Sequence, residues 1–239
     1  MNILNQLTLK ANSLLSPHGI IPSDRKSLDA LVSIFEKIKC SDLFIDKNQP
    51  LTTHYAQLGD KFKSKIIFYY PLLENEKFTL AIFAFPPHTK IPIHDHPQMT
   101  VLSKVLYGKV NCKSFDWIRK SNNEIITNNI KNGKARYIGE RDITENDNVK
   151  ITLPDEENIH TFETSEDHSA VLDLLYPPYE QYKRDCTYYR PTSPTLDFKN
   201  NEIIDFESYS PDFDCRSFLN HRGLMEIHRE LTLFDNNHK

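Results

Sequence analysis

The feature that most constrains the fold is a rhythm of short apolar runs through the middle of the chain. FTLAIFAF (78–85), VLSKVLYGKV (101–110), ARYIGERDI (135–143), VKITLP (149–154), IHTFET (159–164) and AVLDLLY (170–176) are rich in β-branched and aromatic residues, with turn-forming residues between them. Such runs read as strands, and several in close succession predict an all-β sandwich or barrel, not alternating βαβ units. The pattern holds over residues 49–190, which we read as the β-barrel core of a single domain.

The flanks behave differently. Residues 1–48 read as a helical N-terminal segment: Leu28, Leu31, Val32, Phe35 and Ile38 recur at helical spacing, with Ser23 and Asp24 placed to cap them. Beyond Tyr189 the stretch PTSPT breaks the β pattern, and residues 191–239 read as a polar C-terminal extension with one last helix over 217–231. A chain of 239 residues suits one domain with such extensions and buries a core without staples.

Charge and cysteine usage narrow the function classes. A net charge of -4 gives no electrostatic reason to expect nucleic acid or an anionic membrane as partner. No apolar run approaches the roughly 18 residues of a membrane span, and MNILNQLTLKANSLL lacks the basic and apolar regions of a secretory signal. Cys40, Cys112, Cys186 and Cys215 form no CxxC pair, which argues against a disulfide framework and a thiolate zinc site. We therefore expect a reducing compartment, cytoplasm or nucleus. With no long amphipathic heptad or obvious interface segment, the expected state is a monomer.

IPIHDHPQMT (91–100) carries the chemistry. On a strand, residues i and i+2 share a face, so His94 and His96 hold two imidazoles side by side, a common start of a metal site and also a common surface accident. Prolines 92 and 97 suggest that the pair sits where a strand begins, at the mouth of a barrel. His160 shares one face of its run with Phe162 and is either a third ligand or a hydrogen-bonded core histidine. Three neutral imidazoles would leave an ion its full charge and favour an anionic incoming ligand such as a thiolate on Fe(II). A substrate would take two open positions through sulfur and amine, with O2 at the third. The same three would equally hold Zn2+ with a water, so these residues alone leave redox and hydrolytic chemistry open.

HDHPQMTVLSKVLYG resembles the first motif of the cupin family, in which HxH is followed by a ligand Glu and then a Gly. Gly108 falls at the Gly, whereas Val101 stands where the Glu would be, and His160 lies at the distance of the second cupin motif. More narrowly, IPIHDHPQMTVLSKVLYGKV, NIHTFET, AVLDLLYPPYE and RDCTYYR together resemble the cysteamine (2-aminoethanethiol) dioxygenase and plant cysteine oxidase family over roughly residues 75–190. The resemblance implies a mainly β cupin fold, a double-stranded β-helix or jelly-roll barrel, holding Fe(II) through His94, His96 and His160. The implied reaction uses O2 to convert a thiol to a sulfinic acid, both oxygen atoms ending on sulfur. Implied substrates are N-terminal cysteine of peptides or proteins, with oxygen sensing through an N-degron pathway, or free cysteamine. A metal-binding cupin without catalysis is the reading from another class.

The resemblance also implies roles for residues near the iron. Asp173 matches an aspartate near the iron of the family. An acid inside an apolar run is costly to bury unless paired with a ligand imidazole or the substrate amine; the alternative is the solvent face of an edge strand. Tyr179 either orients substrate or packs beside Pro177 and Pro178. Cys186 and Tyr188 match a pair that forms a thioether cross-link in some cysteamine dioxygenases. Gln98 departs from the family, which usually has Gly after HDHP; Gly permits positive φ, so the departure bears on the rim of the mouth.

Overall fold

The computed structural model describes residues 1–15, 25–53, 65–118, 130–182, 184–193, 197–218 and 221–238. His18, His54 and the expected caps Ser23 and Asp24 lie outside them. The N-terminal segment contains helices α1 (Ile3–Leu14) and α2 (Arg25–Phe35) and a 3-10 turn over Cys40–Leu43. Asn2 caps α1 by accepting from the Asn5 amide at 2.8 Å.

The barrel strands follow as β1 (Ile66–Glu74), β2 (Thr79–Phe85), β3 (Lys90–Asp95), β4 (Thr100–Tyr107), β5 (Lys109–Trp117) and β6 (Asn132–Thr144). After them come β7 (Lys150–Thr152), β8 (Ile159–Glu163), β9 (Ser169–Tyr176), β10 (Tyr189–Pro191), β11 (Ile203–Ser208), β12 (Asp214–Ser217) and helix α3 (Arg222–Asn236). Among the described residues they form two six-stranded sheets, ordered β12-β1-β2-β9-β4-β7 and β10-β11-β6-β5-β8-β3. Eight of these strands read 2-9-4-7 in one sheet and 3-8-5-6 in the other. That antiparallel order is a jelly roll, the double-stranded β-helix of cupins.

Alternation along the first sheet explains how the layers stack. Leu80, Ile82 and Ala84 of β2, and Leu172 and Leu174 of β9, face outward into a core shared with Leu7 of α1, Leu31 of α2 and Ile227 of α3. The intervening residues face into the barrel, where Ile67, Phe85, Val110, Phe162 and Val171 fill one end. β9 is covered on both sides, so it reads as a continuous apolar run and every residue in it is buried.

Three departures from expectation have physical causes. The run VLSKVLYGKV is two strands, because Gly108 adopts φ +76° and turns the chain between β4 and β5. A Cβ there would come within 2.3 Å of the His168 carbonyl oxygen, so only Gly fits. The segment after 190 is woven into both sheets: β11 pairs with β6, and β12 lies parallel to β1. The helix expected over 217–231 runs over Arg222–Asn236, because Ser217 ends a strand and the His221 side chain caps the helix by accepting from the Leu224 amide at 3.2 Å. No helix among the described residues is long and apolar enough to cross a membrane.

Candidate metal centre

β3 and β8 are antiparallel neighbours, and His94 lies directly opposite His160 in their register. A register shift falls between Ile91 and His94, around Pro92, which has no N–H to give to a ladder. The histidine pair therefore stands at the end of β3, not at its start as the flanking prolines suggested; β3 begins at Lys90, and the mouth lies where it finishes. His96 follows just beyond the strand, in a turn closed by the Met99 amide donating to the His96 carbonyl at 3.0 Å. Pro97 and Gln98 are its central residues, and Gln98 takes φ +56°. A left-handed residue after Pro is the signature of a type II turn, where Gly is preferred. Gln98 thus keeps a backbone shape that glycine would adopt without strain.

The three imidazoles converge. One ligand atom from each of His94, His96 and His160 lies within 4.8 Å of the others. Ring centroids are 4.7 to 4.9 Å apart, and all three side chains are buried. Burial pushes the His94 imidazole down to about 4 and holds His96 and His160 well below the usual histidine range. All three are accordingly neutral near pH 7, the form that ligates a metal.

Neighbouring groups set the tautomers. His94 donates from Nδ1 to the Pro92 carbonyl at 2.9 Å, which leaves Nε2 free. The Tyr179 hydroxyl donates to the Asp95 carbonyl at 3.0 Å and lies 2.7 Å from His96 Nδ1. With its single proton used on Asp95, the hydroxyl accepts from His96, whose Nε2 is then a lone pair. That Nε2 is buried and has no hydrogen-bond partner. A buried nitrogen lone pair facing two more imidazoles fits a divalent transition ion, so the donor set suits the metal that the motif implies. Val101, at the cupin glutamate position, is fully buried with Met99 and Leu175, and Tyr179 packs against that cluster.

The cavity in front of the imidazoles has a volume of about 340 Å³. Asp173 lines it from β9, an interior strand, so the carboxyl is not on a solvent face. Burial pushes this carboxyl up to about 7, with the Ser103 hydroxyl across the sheet pulling the other way, and Oδ1 has no hydrogen-bond partner. Tyr179, Cys186 and Tyr188 line the same cavity, with Cys186 in hydrogen-bonding contact with both tyrosines. Burial pushes the Cys186 thiol up to about 12, so it stays protonated. All seven residues singled out from the sequence therefore meet at one cavity.

Several supports carry no short-range signal in the sequence. Asp95 turns away from the imidazoles, accepting from the Thr187 amide at 2.9 Å and the Tyr189 hydroxyl at 3.0 Å, and so ties the Cys186–Tyr188 segment to β3. Asn158 grips the backbone of His96 on both sides, accepting from its amide at 3.3 Å and donating to its carbonyl at 2.8 Å. Beneath His160, the buried Lys150 ammonium donates to Glu157 at 2.7 Å, and Ser114 donates to the same carboxylate at 3.0 Å. The other described histidines lie elsewhere: His88 is an exposed partner of Glu166 at 3.3 Å, and His221 caps α3.

A jelly-roll barrel with three neutral imidazoles converging at its open end defines a metal-binding cupin. Within that class the chain belongs to the PCO_ADO family, whose pattern it matches over residues 34–212. It is 54% identical over 237 residues to a probable 2-aminoethanethiol dioxygenase of Dictyostelium discoideum, covering 97% of this chain and 99% of that one. It is also 31% identical to plant cysteine oxidase 2 of Arabidopsis thaliana, across 72% of this chain and 59% of that one. With the 2-aminoethanethiol dioxygenase of Mus musculus it shares 27% identity, across 79% and 77% of the two chains.

Proposed function

We propose that this protein is an Fe(II)- and O2-dependent thiol dioxygenase acting on a 2-aminoethanethiol unit, with free cysteamine as the first substrate. The overall step is R–SH plus O2 giving R–SO2H, so every atom of O2 ends on sulfur. The composition of the cavity carries the reading: three neutral imidazoles, one buried acid, and no lysine or arginine among the described residues that line it. A thiol with a neighbouring ammonium matches Asp173, whereas a free amino acid would bring a carboxylate that meets no cation among the described lining residues. Fe(II) held by His94, His96 and His160 would acidify the thiol and supply the electrons that activate O2. Asp173 would orient the substrate amine, Tyr179 fixes the His96 tautomer, and the apolar wall of Phe83, Ile91 and Phe162 keeps bulk water from the sulfur.

A second substrate, a peptide or protein with N-terminal cysteine, is favoured by one observation. An open groove of about 560 Å³ shares Cys186, Tyr188, Phe213 and Cys215 with the cavity lining, with room for the chain that follows such a cysteine. On that reading the protein would sense O2 through an N-degron in cytoplasm or nucleus. The test is anaerobic loading with Fe(II), addition of cysteamine or a cysteinyl peptide, then O2. A mass gain of two oxygens on either thiol is expected. No gain on either, or zinc by elemental analysis with activity in the absence of O2, would sink the proposal. A Cys186–Tyr188 thioether would show as a loss of two hydrogens in the intact mass.

A further inference from the structure

The chain leaves one sheet at the end of β11 and joins the other at the start of β12, so residues 209–213 cross between the two sheets. Both ends of the crossing are fixed. The Tyr209 amide donates to the Tyr188 carbonyl at 3.0 Å, and the Asp214 amide donates to the Lys65 carbonyl at 2.8 Å. β12 then runs parallel to β1, with Cys215 beside Ile67 and Ser217 beside Tyr69. Its side chains alternate between two faces: Phe213, Cys215 and Ser217 line the metal cavity, while Asp214 and Arg216 pair with each other on the other face. This wall lies just beyond residue 212, where the family match ends.

Phe213 occupies a particular place in it. Its ring packs edge-on against Tyr188 with centroids 5.8 Å apart, and the Tyr188 ring lies 6.2 Å from that of His94. The series His94, Tyr188, Phe213 therefore runs from the metal centre to the rim. Phe213 also lines both the inner cavity and the outer groove, standing at their boundary. An aminoethanethiol alone fits within the inner cavity; a group attached to it and directed into the outer groove runs beside that ring.

We propose that Phe213, held by the crossing between β11 and β12, is a specificity-determining residue that limits the size of the group following the aminoethanethiol unit. The inference rests on the substrate reading above. The apolar side of a pocket discriminates by about tenfold or more per methylene gained or lost, so a whole ring has ample leverage. The experiment compares cysteamine with a cysteinyl-alanine amide, measuring Kd by calorimetry under argon on the Fe(II)-loaded protein and kcat/KM in air. Phe213→Ala is expected to shift the ratio of the two thiols about tenfold toward the dipeptide in both measurements. Phe213→Trp should shift it toward cysteamine, and Phe213→Leu serves if the alanine variant fails to fold. Iron content should not change in any of them. Equal ratios in the wild type and the folded variants would overturn the role of Phe213 while leaving the function intact. If neither thiol binds to the wild type, the function itself fails and the inference falls with it.

Discussion

Tyr179→Phe removes one oxygen and keeps the ring, and so deletes the contact between Tyr179 and His96 together with the bond to the Asp95 carbonyl. The Asp95 carbonyl has no proton to give, so the hydroxyl 3.0 Å away must donate to it. At 2.7 Å, His96 Nδ1 must then be the donor toward the same oxygen. Without that oxygen the buried Nδ1–H loses its acceptor, at a cost of about 1–3 kcal/mol. Nothing then holds the Nε2 lone pair toward the metal in preference to the other tautomer. Loss of a partner behind a ligand histidine typically weakens metal binding about 10–100-fold. That corresponds to about 1.4–2.7 kcal/mol, inside the range expected from the orphaned donor. The assay is competition for Fe(II) against a chromophoric chelator under argon, with no thiol present, so that substrate contacts of Tyr179 do not enter. A folded variant that holds Fe(II) as tightly as the wild type would refute the argument that this hydroxyl sets the tautomer.

Other perturbations separate the parts of the site. His94→Ala should abolish metal retention on gel filtration, measured by elemental analysis, because one of three ligands is lost from an open shell. Asp173→Asn should keep the metal and raise KM for cysteamine more than tenfold, since a charged hydrogen bond of about 1.5–3 kcal/mol is lost; an unchanged KM removes Asp173 from amine recognition. Lys150→Met leaves Glu157 without its buried partner and should cost about 3–5 kcal/mol in chemical denaturation, while adding Glu157→Gln should restore much of it. Burial pushes the Glu157 carboxyl up, but the charge and hydrogen bond of Lys150 and the hydrogen bond from Ser114 outweigh it and hold it below its usual value. Its contribution to stability is therefore complete above the ordinary glutamate range and disappears as pH falls through the lowered value, a loss that the double variant should not show. Gln98→Val puts a β-branched residue at φ +56° and should lower stability by about 1–3 kcal/mol in thermal unfolding.

The barrel and its three converging histidines are legible in the sequence because both depend on short-range patterns. Short runs of β-forming residues disclose β2, β4, β8 and β9, and the two-residue period of a strand puts His94 beside His96 and His160 beside Phe162. What does not show is set by long-range contacts. Tyr179 reaches His96 across 83 positions and Thr187 reaches Asp95 across 92, and neither contact leaves a local pattern. The end of the chain reads as a polar tail because β11 and β12 are edge-side strands with exposed charged residues, and only the register with β6 and β1 shows that they complete the sheets. The position of the histidine pair along its strand is misread for a related reason. Pro92 looks like a boundary in sequence, but in the fold it lies within β3 at a register shift.

The missing carboxylate has a structural counterpart that sharpens its meaning. On β4, Val101 and Ser103 point into the barrel from the same face; across the sheet they pair with Leu175 and Asp173 of β9. The acid absent from position 101 is thus matched by one on the neighbouring strand, one pleat along, about 7–8 Å away on the diagonal. On the proposed reading this displacement divides two tasks that a ligand carboxylate would combine. The metal keeps its full charge and attracts a thiolate, while the acid stays free to meet an ammonium two carbons from the sulfur. A barrel with the acid restored at 101 and removed from 173 would lose both selectivities together, so the pair of positions, more than either residue alone, distinguishes an aminothiol site from a general cupin metal site.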